Sequence, residues 1–142
     1  MRALLDVNVL IALLDQDHAS HSRAIAWFAK HAKAGWASCP ITQNGCLRIM
    51  SHSSYPNALA VRAVMQRLAV AVASPVHQFW SDDISLLDGS VADFTRIHGP
   101  RQLTDIYLLG LAVHHGGYFV TFDSTIALHA VKGVKKQHLL VL

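Results

Sequence analysis

Three aspartates stand where acidic side chains could act together: Asp6 in Leu4-Leu5-Asp6-Val7-Asn8, Asp105 in Gln102-Leu103-Thr104-Asp105, and Asp123 in Val120-Thr121-Phe122-Asp123. Two of them end short apolar runs that read as buried strands. The third opens a long helical pattern, so an open α/β sheet would bring all three to one edge. Carboxylates gathered in this way repel one another unless protons or a divalent cation offset the charge. Mg²⁺ or Mn²⁺ suits such a set, because these hard cations take carboxylate oxygens, keep several waters and act on phosphate. A metal held there would orient a scissile phosphate, lower the pKa of an attacking water and stabilise the leaving oxygen. The leading reading is a metal-dependent phosphate-ester hydrolase.

Taken singly, each aspartate equally suits a helix cap, the common fate of Asp after a strand. Three at matching positions favour a site. Asn8, Thr104 and Thr121 lie within two residues of the aspartates and are candidates to support them through hydrogen bonds, although each also suits a cap or turn.

The elements that must position these residues follow from apolar periodicity and punctuation. Strands are predicted at residues 2–5, 36–38, 76–80, 118–122 and 138–142. Helices are predicted at 7–14, 18–34, 41–50 behind Pro40, 57–72, 91–97, 104–115 and 125–130, with Gly35 and Gly116-Gly117 as stops. A helix start is also predicted at Ser81-Asp82-Asp83. Strands alternating with helices imply a parallel sheet covered on both faces, hence a three-layer α/β/α architecture.

At 142 residues and 15.5 kDa the chain reads as a single domain, 1–142, able to bury roughly two-thirds of the surface its unfolded form would expose. Hydrophobic residues make up 52% and charged ones 15%, which excludes a disordered chain, and no apolar run has the length of a membrane span. Met1-Arg2-Ala3-Leu4-Leu5 superficially resembles a signal sequence, but Asp6 and Asn8 interrupt it. Cys39 and Cys46 fit neither a zinc spacing nor a disulfide framework, so a reducing, cytoplasmic setting is expected. A net charge of +3 points weakly to a polyanionic partner. All nine acidic residues are Asp, so any acidic site is built from Asp alone.

The segments Leu4–Leu13, Cys39–Gly45, Phe79–Asp83, Arg101–Asp105 and His115–Asp123 together resemble the PIN-domain ribonucleases, in particular the VapC toxins of VapBC toxin–antitoxin systems. No single block is specific; the ordered set is, and it spans nearly the whole chain. The resemblance implies a PIN-like fold, Mg²⁺- or Mn²⁺-dependent endonucleolytic cleavage of RNA, a homodimer, and neutralisation by a cognate VapB-type antitoxin. It assigns Asp6, Asp105 and Asp123 to the metal site and Asn8 to the polar position beside the first Asp. It also exposes a departure. The family's further acidic residue, usually Glu, is expected within Thr42-Gln43-Asn44-Gly45, where this chain offers only Gln43 or Asn44. An amide brings no charge and cannot act as a base near neutral pH, so weaker metal binding or slower turnover is expected.

Lesser candidates complete the reading. Arg48 and Arg101 are the basic residues expected nearest the site; the other Arg residues and Lys132, Lys135 and Lys136 read as surface charge. His18 and His21 could share a metal on one helix but fit a solvated face better. His114 and His115 suit a helix C-terminus, and Asp82 and Asp83 suit a cap. Trp27, Phe28 and Met65 read as a core or dimer face. Two other functions compete with the nuclease. One is a catalytically weakened PIN-fold RNA-binding protein acting through its antitoxin complex. The other, ranked last, is an aspartyl-phosphate enzyme, for which no lysine follows a predicted strand at the active edge.

Overall fold

Five short strands and five helices make up the computed structural model, which describes residues 1–142. The strands are β1 (Ala3–Leu5), β2 (Trp36–Ser38), β3 (His77–Phe79), β4 (Tyr118–Thr121) and β5 (Leu139–Val141). The helices are α1 (Val7–Leu14), α2 (His21–His31), α3 (Pro40–Met50), α4 (Val61–Val72) and α5 (Leu103–His114). The sheet runs β3-β2-β1-β4-β5 and every ladder is parallel. Parallel strands need both faces covered, and successive side chains point to opposite faces. Accordingly Leu4, Ala37 and Phe119 join one apolar cluster with Ile106, Leu109 and Trp80, while Ala3, Leu5, Trp36 and Val120 join another with Val9, Cys46, Met50 and Val64. The three-layer α/β/α expectation holds. No helix is long and apolar enough to cross a membrane.

From β1 the chain leaves toward β2; from β4 it leaves toward β5, on the other side. The carboxyl ends of β1 and β4 therefore flank the point where the strand order reverses, the place an open α/β sheet offers a crevice. Asp6 follows β1 directly and Asp123 lies two residues beyond β4.

Several predicted helices differ from the structure. Residues 57–60 do not join α4, because Asn57 sits at φ 57°, a left-handed conformation that a helix does not tolerate. No helix begins at Ser81-Asp82-Asp83, so the capping role expected of Asp82 and Asp83 has no helix to serve. The helix predicted at 91–97 shrinks to one 3₁₀ turn at Phe94–Arg96, and that at 125–130 to Leu128–Ala130. Just before the first of these Asp88 accepts the backbone N–H and hydroxyl of Ser90, and within it Asp93 does the same for Thr95. Such local bonds divert backbone donors from a helix. Likewise α2 starts at His21, not His18, because His18 Nδ1 accepts the Ser20 N–H at 3.0 Å and turns the chain first.

Candidate active site

Asp6 leaves β1 with extended backbone and caps α1: its Oδ1 accepts the Val7 N–H at 2.7 Å. The other oxygen, Oδ2, accepts the hydroxyl of Thr121 at 2.6 Å. Capping and site placement are thus not alternatives here. Thr121, fully buried at the end of β4, is the hub of the arrangement. Its Oγ1 also accepts from Asn8 Nδ2 at 3.3 Å and from the Asp123 N–H at 3.0 Å, while Asn8 Oδ1 accepts the Phe122 N–H at 3.4 Å. Asp123 in turn accepts the N–H and hydroxyl of Thr125. Asp105 occupies the first turn of α5, where the helix dipole favours an anion.

The structure brings Asp6, Asp105 and Asp123 to one cleft of about 390 Å³, which Val7, Asn8, Ile11, His18, Ile49 and Tyr55 complete. An adjoining cleft of about 360 Å³ shares Asp105 and Asp123 and adds Arg101, Gln102 and Thr125. Their electrostatics differ in an informative way. Burial, then the charges of Asp6 and Asp123, push the Asp105 carboxyl up to about 6. Asp6 is only 7% exposed, and burial raises its pKa despite the opposing bonds from Thr121 and Val7, with Asp123 adding to the rise. Hydrogen bonds from Thr125 hold Asp123 below its usual value. Negative charge in the cleft is therefore under-compensated, and the three carboxylates offer oxygen donors only. That set fits a hard divalent cation such as Mg²⁺ or Mn²⁺. The three do not close to within 4.8 Å of one another; the one His/Cys/Asp/Glu trio that does lies elsewhere, at Asp83, His114 and His115.

Other candidates separate. Arg101 lines the second cleft beside Asp105 and Asp123. Arg48 instead lines an open groove with Ile41, Asn44, Gly45 and Ser51, and Thr104 is exposed and lines neither aspartate cleft. Gln43 and Asn44 line neither cleft as well. Gln43 Nε2 donates to Ser38 Oγ at 2.9 Å, which lies 2.8 Å from His77 Nε2, and the side chain borders Met65 and Leu68 of α4. The α3 residue that meets the first turn of α1 is Gly45. A Cβ there would come 2.7 Å from Val7 Cγ2. Gly45→Ala is accordingly expected to push α1 away and destabilise the protein by about 1–3 kcal/mol. Adding Val7→Ala should recover most of that loss in a denaturation double-mutant cycle, and strict additivity of the two changes would contradict the close approach.

Sequence reasoning missed two lining residues, His18 and Tyr55. His18 faces the aspartates whereas His21 Nδ1 donates to the Ala12 carbonyl at 2.6 Å, so the two share no ligand position. Tyr55 is anchored by donating its hydroxyl to Asp15. Only their position in turns flanking α1 and α3 connects them to the site, and spacing carries no trace of it.

Comparison with known proteins agrees with this geometry. The family model described as PIN domain matches residues 3–132. Ribonuclease VapC44 of Mycobacterium tuberculosis is 55% identical over 142 residues, covering all of both chains. Ribonuclease VapC39 of the same species is 41% identical over 135 residues, 94% of this chain and 97% of the relative. The crystal structure of VapBC2 from Rickettsia felis bound to a promoter DNA fragment superposes with a TM-score of 0.56 at 12% identity, covering 88% of this chain and 90% of that one. An open parallel sheet with an acidic crevice at its reversal point defines the class, and the chain belongs to the PIN-domain family, as a VapC-type member.

Proposed function

We propose that the chain is a divalent-metal-dependent endoribonuclease toxin of a type II toxin–antitoxin system, one PIN domain over residues 1–142, neutralised by a VapB-type antitoxin and active as a homodimer in the cytoplasm. The observation that carries the catalytic part is the shared cleft in which Asp6 and Asp123 help hold the Asp105 carboxyl up to about 6. The toxin, antitoxin and dimer parts rest on kinship with VapC ribonucleases. Buried, unpaired Cys39 and Cys46 suit a reducing compartment.

Asp6, Asp105 and Asp123 would hold Mg²⁺ or Mn²⁺, which when bound orients the phosphate and makes a water nucleophilic near neutral pH. This chain's own residues do the positioning. Thr121 fixes one Asp6 oxygen, and Asn8 bridges Thr121 to the backbone of Phe122, so β1 and β4 cannot slide without breaking the set. Arg101, beside Asp105 and Asp123, supplies the cation that holds an RNA phosphate against this negative floor. The test is incubation of antitoxin-free protein with total cellular RNA, with and without Mg²⁺ or Mn²⁺, beside an Asp6→Asn Asp105→Asn control, with new 5′ ends mapped. Discrete metal-dependent cuts absent from the control are expected; RNA binding without cuts would return the reading to a binder.

We infer that the amides at 43 and 44 do not weaken the site, an inference supported by neither residue lining an aspartate cleft. Gln43→Glu is therefore expected to leave Mg²⁺ affinity and cleavage within about twofold, the scale of a surface change away from the site. A gain of tenfold or more in either, about 1.4 kcal/mol, would mean that position 43 does reach the metal.

A further inference from the structure

At the other end of α5, His114 and His115 converge on one carboxylate. His115 Nε2 lies 3.3 Å from Asp83 Oδ1, and His114 Nε2 lies 3.6 Å from Asp83 Oδ2. The three residues can place one ligand atom each within 4.8 Å of one another. Ligands about 2.1 Å from a tetrahedral Zn²⁺ are themselves about 3.4 Å apart. The observed separations are those of ligand edges around an ion as much as those of an ion pair.

The ion-pair reading leaves one atom poorly satisfied. His115 Nε2 is shut off from solvent and meets Asp83 Oδ1 at 3.3 Å, at an angle poor for a hydrogen bond. A buried polar atom held at ion-pair distance but misaligned for a hydrogen bond is well placed to share a cation with its neighbour. The ring is also held in place: it stacks on buried Trp80 with centroids 4.4 Å apart and planes 11° from parallel. Beneath it, α5 ends in a fixed turn, Gly116 at φ 66° with the Gly116 N–H on Val113 O and the Gly117 N–H on Ala112 O. His114 and Asp83, 50% and 46% exposed, leave the ion a path from solvent.

We propose that Asp83, His114 and His115 form a second metal site, specific for a borderline transition ion such as Zn²⁺, distinct from the aspartate cleft. Two imidazoles and a carboxylate select Zn²⁺, Co²⁺ or Ni²⁺ over Mg²⁺, the reverse of the all-oxygen set at the other end of the helix. Nine residues of helix, about 13 Å, separate His114 from Asp105. With three protein ligands the fourth position goes to water. The ion ties the irregular stretch after β3, which carries Asp83, to the end of α5, and its effect is a staple: it stabilises a segment that no regular hydrogen-bond ladder secures.

The test uses full-length, chelator-stripped protein carrying Asp6→Asn, Asp105→Asn and Asp123→Asn, so that the cleft cannot contribute. Titration with Co²⁺ is expected to give one equivalent, a visible ligand-field spectrum and quenching of tryptophan fluorescence that Trp80→Phe removes. Zn²⁺ should compete with it and raise Tm, whereas Mg²⁺ should do neither. Adding Asp83→Asn or His114→Ala, both at substantially exposed side chains and checked for folding by circular dichroism, should weaken Co²⁺ by more than about tenfold, the lower bound even for loss of a supporting partner. Equal affinity in those variants, or absence of a stoichiometric equivalent, would overturn the site.

Discussion

Replacing Asp105 by Asn is expected to move activity and stability in opposite directions. RNA cleavage in Mg²⁺ should fall at least roughly 100-fold, the scale of losing one charge-stabilising group in an active site. The metal-free protein should at the same time melt higher at pH 7.5. Its carboxyl is pushed up to about 6 by burial and by Asp6 and Asp123, so ionised Asp105 is a burden on the folded state. The sign follows from proton linkage. Between the unfolded value near 3.8 and the folded value near 6 the native state binds more protons, so this group makes stability fall as pH rises through that window. The advantage of Asn should be full above pH 6 and vanish below about pH 4. Mg²⁺ should reverse the ranking at neutral pH, since under the proposed metal role it would bind the native wild type and stabilise it by mass action. Melting curves at pH 7.5 and pH 4, each with and without Mg²⁺, read all four outcomes. A destabilised Asn variant at pH 7.5 without metal would sink the account.

The same electrostatics explain what the sequence made legible. Asp6 and Asp123 follow continuously apolar strands, the mark of a parallel sheet buried on both faces, and Asp105 lies in the first turn of a long apolar helix, so strand-end and helix-start positions sufficed to point all three at one edge. Where local side-chain bonds compete with the backbone, the pattern misled. Asp93 and Thr95 fall inside the helix predicted at 91–97 yet anchor a turn, as Asp88 and Ser90 do just before it. At Gln43 and Asn44 the resemblance puts an acidic position in α3, whereas only packing shows that Gly45 is the residue facing α1. His18 and Tyr55 reach the cleft through turns that carry no period. His114 and His115 read as a charged helix end because their partner, Asp83, comes from a segment 31 residues earlier whose path no pattern specifies.

Gly117→Ala is expected to be the most damaging small substitution outside the cleft. Its φ is not in the left-handed region, so strain is not the cause; space is. A Cβ at 117 would meet the Arg2 carbonyl oxygen at 2.4 Å and Trp80 Cη2 at 2.7 Å. The carbonyl cannot swing aside, because it accepts the Tyr118 N–H at 3.0 Å at the start of the β1–β4 pairing, and Arg2 is pinned again by its guanidinium on the carbonyls of Trp36 and Val76. Gly117 itself is fixed by its N–H on Ala112. Relief therefore requires β1 and β4 to separate, and these are the strands that carry Asp6 and Thr121. The loss should be about 3 kcal/mol or more, at the upper end of overpacking effects, against a total stability of about 5–15 kcal/mol for a domain of this kind. Urea denaturation measures it, and Trp80→Leu provides the control. Removing the indole relieves one of the two clashes but not the backbone one, so the double variant should remain well below Trp80→Leu alone. Full rescue would assign the obstruction to Trp80 and leave the β1–β4 junction more tolerant than its hydrogen bonds imply.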